Sequence, residues 1–165
     1  MRHAESQHNA QGILAGITDT PCTEAGILAA RTLSETFEEN FDAYYVSPLT
    51  RTRQTAASVI PNAKFTVDER LIERCFGVWE NVALDKIGEK TFFDVVINDA
   101  PLEGCETNIA VGERLSNFFE YLKEKYNNNA RIFAVTHGGL MIVLQQKFAQ
   151  NQEVPKNLGT ITIEI

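Results

Sequence analysis

Cysteine is scarce in this chain of 165 residues: Cys22, Cys75 and Cys105 lie far apart, with no Cys-x-x-Cys pair and no histidine at zinc-finger spacing. That scarcity excludes a disulfide framework and a structural zinc site, and the three are read as reduced thiols. Long apolar runs are missing too. No stretch approaches the roughly 18 residues that span a bilayer, and the first residues lack the basic-then-apolar order of a signal peptide, so a cytoplasmic location is expected. Positive charge is in deficit, 15 Lys and Arg against 22 Asp and Glu. The net charge of −7 argues against non-specific binding to nucleic acid or an anionic membrane. A small anionic substrate would need a local basic pocket. Nothing repeats internally, and a composition that is 44% apolar and 22% charged fits one domain over 1–165 that buries a core without metals.

Short apolar strands alternate with helical periodicity. Ala43-Tyr44-Tyr45-Val46 and Arg131-Ile132-Phe133-Ala134-Val135 read as buried strands, Lys64-Phe65-Thr66-Val67 and Thr160-Ile161-Thr162-Ile163 as further ones. Helices are predicted over Thr23–Phe37, capped by Thr23 with a stripe of Ile27, Leu28, Leu33 and Phe37, and over Leu49–Val59, with Ser47 as cap and Pro48 at its start. Two more are predicted over Thr107–Tyr126 and Leu140–Gln150. Helices between strands too distant for hairpins imply crossovers, hence a three-layer α/β/α sandwich with a mostly parallel sheet. Ligands bind such sheets at the carboxyl ends of strands, here marked by Ser47 and Thr136. Residues 80–106 are the least regular, with a short helix near Ala83–Lys90, and form the natural flap.

The side chains at those ends form a phosphate-handling set. Arg2-His3-Ala4-Glu5-Ser6, Ser47-Pro48-Leu49-Thr50-Arg51, Glu73-Arg74-Cys75-Phe76-Gly77 and Thr136-His137-Gly138 bring together His3 and His137, Arg2 and Arg51, and the carboxylate of Glu73. Each piece alone has an ordinary reading as a solvated charge or a turn residue. The ordered set resembles the histidine phosphatase superfamily, in its phosphoglycerate mutase-like branch. The first motif looks like the Arg-His-Gly-Glu-Ser/Thr opening through Asn9, and Gly16-x-Thr18-Asp19-x-Pro21-x-Thr23 like the segment that follows it. Ser47-Pro48-Leu49-x-Arg51, Leu71-x-Glu73-x-x-Phe76-Gly77-x-Trp79-Glu80, Gly104-Cys105-Glu106-Thr107 and Thr136-His137-Gly138-Gly139 resemble the later motifs, in order.

The resemblance implies a metal-independent phosphomonoesterase that needs no cofactor and acts on a small phosphorylated metabolite. His3 would be the nucleophile, Glu73 the acid and then the base. Arg2, Arg51 and His137 would clamp the phosphoryl oxygens, with Asn9, Gly16 and Gly138 in the binding site. Neighbouring cations would keep His3 neutral, while burial and a bound phosphate would raise the pKa of Glu73. Two other readings stay open: phosphoglycerate mutase-type transfer, against which the short flap argues, and a non-catalytic phosphate-binding or scaffold protein. A homodimer is also left open.

Other residues are expected to be structural. Trp79 and Phe76 should pack, Glu80 should remain an ordinary carboxylate or make a structural hydrogen bond, His8 should be an exposed neighbour, and Arg53, Arg70 and Arg74 should be solvated. Ala4 stands where the family has glycine, which a negative φ would tolerate. Asn81 replaces a glycine and Ala15 a polar residue. In the family an apolar strand leads into the Arg-His motif; here only Met1 precedes Arg2, so that strand is expected upstream of Met1.

Overall fold

The computed structural model describes residues 1–38, 40–149 and 153–165. Three short strands, β1 (Ala43–Val46), β2 (Thr66–Val67) and β3 (Ile132–Val135), form a parallel sheet in the order β2-β1-β3. Tyr45 lies opposite Thr66 and Ala134, and Val46 opposite Val67 and Val135. The helices are α1 (Gln7–Ala10), α2 (Glu24–Ser34), α3 (Thr50–Val59), α4 (Leu84–Ile87), α5 (Glu89–Val96), α6 (Asn108–Lys125) and α7 (Gly138–Phe148).

Strand periodicity sends alternate side chains to opposite layers. Val46, Phe133 and Val135 pack with Ala30, Ala56 and Val59 against α2 and α3. Tyr45 turns the other way, to Leu71, Phe118 and Leu122, with Ile132 and Ala134 beside it on the α6 side. Both faces of the sheet are thus covered, which gives the three-layer sandwich. Among the described residues, no helix is long and apolar enough to cross a membrane.

Several boundaries differ from the sequence expectation. Helix α3 starts at Thr50 after Leu49, and its first N–H is taken by Asp19 Oδ1 at 2.8 Å, while Ser47 Oγ accepts from the Leu49 N–H at 3.4 Å and lies 2.7 Å from His137 Nε2. Thr23 does cap α2, accepting from the Gly26 N–H. Leu28 and Ile109 are exposed, so the apolar stripes of α2 and α6 are narrower than predicted. The predicted strand at Lys64 shrinks to Thr66–Val67, and the flap holds two helices, α4 and α5. The helix expected to end at Gln150 ends at Phe148; Gln150 itself lies outside the described residues.

The strand expected over Thr160–Ile163 is a correction: residues 160–165 form no ladder, and Ile161 and Ile163 lean on the α6–α7 cluster. Beyond β3 the sheet continues only as an isolated parallel bridge between Arg2 and Thr136. The Met1 ammonium donates to the Ala134 carbonyl at 2.7 Å. A cleft of about 460 Å³ lies between the outer edge of β3 and residues 160–165, lined by Phe133, Phe118, Met141 and Ile161.

Candidate active site

The carboxyl ends of β1 and β3, with the chain at Arg2-His3 alongside, set one floor. The His3 N–H donates to the Thr136 carbonyl at 3.0 Å and the Ser47 N–H to the Val135 carbonyl at 3.1 Å. Next to His3, Ala4 is fully buried with negative φ, and its N–H donates to Thr55 Oγ1 at 2.9 Å. The methyl group in place of glycine therefore sits without backbone strain. Ser6 then caps α1 in a capping box with Asn9. The Asn9 Oδ1 is taken up by the Ser6 N–H at 3.2 Å, which aims the amide nitrogen elsewhere.

The tautomer of His3 follows from one contact. Its Nδ1 lies 2.7 Å from the Ala4 carbonyl oxygen, which only accepts, so Nδ1 carries the proton of the neutral ring and Nε2 carries the lone pair. Burial, then the Arg51 guanidinium, pushes the His3 pKa down from 6.5 to about 3, keeping that lone pair free of a proton at neutral pH. The neighbouring cations expected to keep the ring neutral are present, and desolvation, the larger cause, adds to them.

His137 stands beside it, with ring centroids 5.2 Å apart, and is wholly buried. Arg51 Nε donates to His137 Nδ1 at 3.2 Å, and an arginine cannot accept. The His137 proton is therefore on Nε2, donated to Ser47 Oγ at 2.7 Å. Burial and Arg51 push the pKa of His137 well below its ordinary value. The N–H expected to reach a phosphoryl oxygen is thus held by Ser47, and a ligand has to compete for it. Arg51 is itself buried, giving Nη1 to the Thr18 carbonyl at 2.9 Å and Nη2 to the Gly16 carbonyl at 2.7 Å. Each η nitrogen carries a second hydrogen beyond those bonds.

Glu73 lies in a cradle of backbone donors. Its Oε1 accepts from the Arg74 and Leu140 N–H groups at 2.8 and 2.9 Å, and its Oε2 from the Gly139 N–H at 3.0 Å. Two of these donors belong to the first turn of α7, whose dipole favours a negative charge there. A Cβ on Gly139 would stand 2.8 Å from Glu73 Oε1, so only glycine lets the carboxylate sit that close. Gly138 does the same for Arg2, whose Cζ would lie 3.1 Å from an added Cβ.

Arg2 donates from Nη1 to the Pro155 carbonyl at 3.2 Å, while its Nε is buried without a hydrogen-bond partner among the described residues. A desolvated cationic N–H left without an acceptor is costly unless an anion binds there.

The structure therefore brings Arg2, His3, Arg51, Glu73, His137, Gly16 and Gly138 together. Asn9 stands at the exposed rim, tied to the group through Asn157, whose Nδ2 donates to the His3 carbonyl at 2.7 Å and lies 3.4 Å from Asn9 Oδ1. Asn157, Ser47 and Thr55 are supporting residues outside the expected site set, although Ser47 opens the Arg51 motif and Thr55 lies one turn after Arg51 within it. Ser47 carried a signal in its place at a strand end, whereas Asn157, in a turn more than 150 positions from His3, carried none. Among the basic residues left over, Arg53 is exposed and Arg70 pairs with Asp68 at 2.6 Å.

Arg74 corrects the expectation of a solvated charge: it is 1% exposed. Its guanidinium reaches the Val95, Val96 and Glu106 carbonyls, Asn108 Oδ1 and Asp99 Oδ1, all in or beside the flap. His8 Nε2 donates to Asn81 Oδ1 at 2.9 Å, and Asn81 takes a left-handed φ of 64° where the family pattern has glycine. Phe76 is buried, as its packing role requires.

A histidine with an unprotonated nitrogen, set among arginines at the carboxyl edge of a parallel sheet, fits what comparison with known proteins finds. The chain belongs to the histidine phosphatase superfamily (branch 1), whose model matches residues 1–157. It is an enzyme of the phosphatase kind within that group of hydrolases. Phosphoserine phosphatase 1 of Hydrogenobacter thermophilus is 29% identical over 145 residues, covering 83% of this chain and 68% of that protein. The adenosylcobalamin/alpha-ribazole phosphatase of Escherichia coli is 29% identical over 155 residues, covering 87% and 74%. The crystal structure of the alpha-ribazole phosphatase from Shigella flexneri superposes with a TM-score of 0.71 at 27% identity, covering 86% of this chain and 73% of that one.

Proposed function

We propose that this protein is a metal-independent phosphomonoesterase that works through a phosphohistidine on Nε2 of His3. The observation that carries the reading is the pairing of that bare Nε2 with the unpartnered Nε–H of Arg2. The one is a nucleophile and the other a cationic donor whose hydrogen bond an anionic oxygen can satisfy. In the first step the Nε2 lone pair forms a bond to phosphorus as the P–O bond to the leaving group breaks. Arg2 and the second hydrogens of Arg51 balance charge on the equatorial oxygens. The leaving oxygen takes a proton from Glu73, which receives it from the monoanionic ester as that enters, the ester then reacting as the dianion. In the second step the ionised Glu73 removes a proton from water, whose oxygen bonds to phosphorus as the P–N bond breaks and its electron pair returns to Nε2.

The substrate is a small phosphate monoester; the relatives' names point to phosphoserine and α-ribazole phosphate as the first compounds to try. The test is phosphate release over a metabolite panel containing both, with His3→Ala as control. Release that survives His3→Ala contradicts the reading. Incubation with 3-phosphoglycerate and 2,3-bisphosphoglycerate separates hydrolysis from mutase chemistry, since isomer exchange without phosphate release supports the latter. The homodimer and the cytoplasmic setting belong to the same proposal; sedimentation of the purified protein and fractionation of its host check them.

A further inference from the structure

The proposed clamp, Arg51, does not hold itself in place. Its two η nitrogens are tied to the Thr18 and Gly16 carbonyls, so its position is that of the 16–18 loop. What fixes that loop is one carboxylate outside the proposed catalytic set. Glu80 Oε1 accepts from the Ile17 N–H at 3.0 Å and the Phe76 N–H at 3.2 Å. Its Oε2 accepts from the Thr18 N–H at 3.0 Å and from Thr18 Oγ1 at 2.8 Å. Four donors thus converge on two oxygens, joining the loop to the segment that carries Glu73. The fit is tight on the other side, because Gly16, at φ 55°, lies so close over the Glu80 carboxylate that any side chain there would overlap it.

We infer that Glu80 is a positioning residue for phosphoryl transfer. It sets the 16–18 loop whose carbonyls aim the Arg51 guanidinium, and through Arg51 Nε it sets the tautomer and ring angle of His137. This rests on the reading of Arg51 as a phosphoryl clamp. An amide cannot replace the carboxylate, since three of the four contacts are backbone N–H donors and Glu80→Gln would set an NH2 group against at least one of them.

The test is a double-mutant cycle of Glu80→Gln with Arg51→Ala, followed in phosphate release and in binding of orthovanadate, a five-coordinate phosphate mimic, by fluorescence of the sole tryptophan, Trp79. Displacing a reacting group by about 1 Å costs on the order of 10²-fold in rate, so Glu80→Gln is expected to lower kcat by about that factor with KM moved far less. In the Arg51→Ala background the same change should lower kcat by less than about threefold, because residues acting through one another are not additive. The Nε–H signal of Arg51 in nitrogen-15 NMR spectra, slow to exchange in the native protein, should exchange with solvent in Glu80→Gln.

Equal losses in the two backgrounds, or an Arg51 signal that stays protected, overturn the assignment. A native protein that binds vanadate without turning over any ester overturns the phosphatase reading instead, and the cycle in vanadate affinity then decides the role of Glu80. If Glu80→Gln fails to fold, Thr18→Val, which removes only the hydroxyl link, carries the same cycle with a smaller factor in the same direction.

Discussion

Lowering the pH from 8 to 5 should remove a sizeable part of this protein's stability, because the fold buries imidazoles in their neutral forms. His3 has a pKa of about 3 when folded against an ordinary 6.5. The folded value is depressed, so between the two values the unfolded chain binds more protons and stability rises with pH. The stabilisation is complete above the ordinary pKa and is lost as the pH falls toward the folded one. At pH 5 His3 accounts for a loss of about 2 kcal/mol relative to pH 8. His137, shifted the same way by burial and Arg51, adds to it. The total, about 2 kcal/mol or more, is a large share of a marginal domain's stability of about 5–15 kcal/mol. Urea unfolding followed by circular dichroism at pH 8 and pH 5, at fixed ionic strength, measures it. His3→Gln should remove that residue's share of the pH dependence. An unfolding free energy that changes by less than about 1 kcal/mol between the two pH values would refute the burial of neutral imidazole on which the calculation stands.

Three further outcomes are expected. Glu73→Gln should lower kcat by about 10²–10⁴-fold, because it removes the proton carrier and sets an amide against the N–H groups of residues 74, 139 and 140; kcat within threefold of native would remove Glu73 from the chemistry. Arg74→Ala should destabilise by about 3–5 kcal/mol, since it strips the acceptors of Asp99, Asn108 and three carbonyls of a buried cation, and a midpoint of urea unfolding that stays put would contradict that. An alternating apolar segment fused ahead of Met1 should pair with the outer edge of β3 and fill the 460 Å³ cleft, raising Tm by about 5 °C or more; an unchanged Tm would mean the cleft does not accept a strand.

The parts of this site that were legible in the sequence are those governed by local chemistry. Arg51, His137 and Gly138 follow strand ends, and strand periodicity places Ser47 and Thr136 at the sheet's carboxyl edge. Hydrogen-bond direction was not legible. Whether His137 offers its N–H to a ligand or to Ser47 depends on Arg51, 86 positions away. Nor could composition tell a solvated arginine from Arg74, because its burial is offset by carbonyls that α5 and the turn before α6 present only after folding. The alternation at Thr160–Ile163 is sound strand chemistry, yet a strand needs a neighbour with free backbone groups, and the cleft separates those residues from β3. Leu28 was placed in the stripe of α2 by its hydrophobicity alone, and the real face is set by what α3 and β3 offer to it.

The central claim is a bond between phosphorus and one nitrogen of one histidine. Rapid-quench labelling with a phosphorus-32 monoester that the enzyme turns over, followed by peptide mapping under alkaline conditions and phosphorus NMR, locates it directly. The hydrogen bond from Nδ1 to the Ala4 carbonyl predicts an acid-labile phosphoryl group on His3, at Nε2, absent in His3→Ala. A label on Nδ1, on another residue, or no phosphoenzyme during turnover would contradict it.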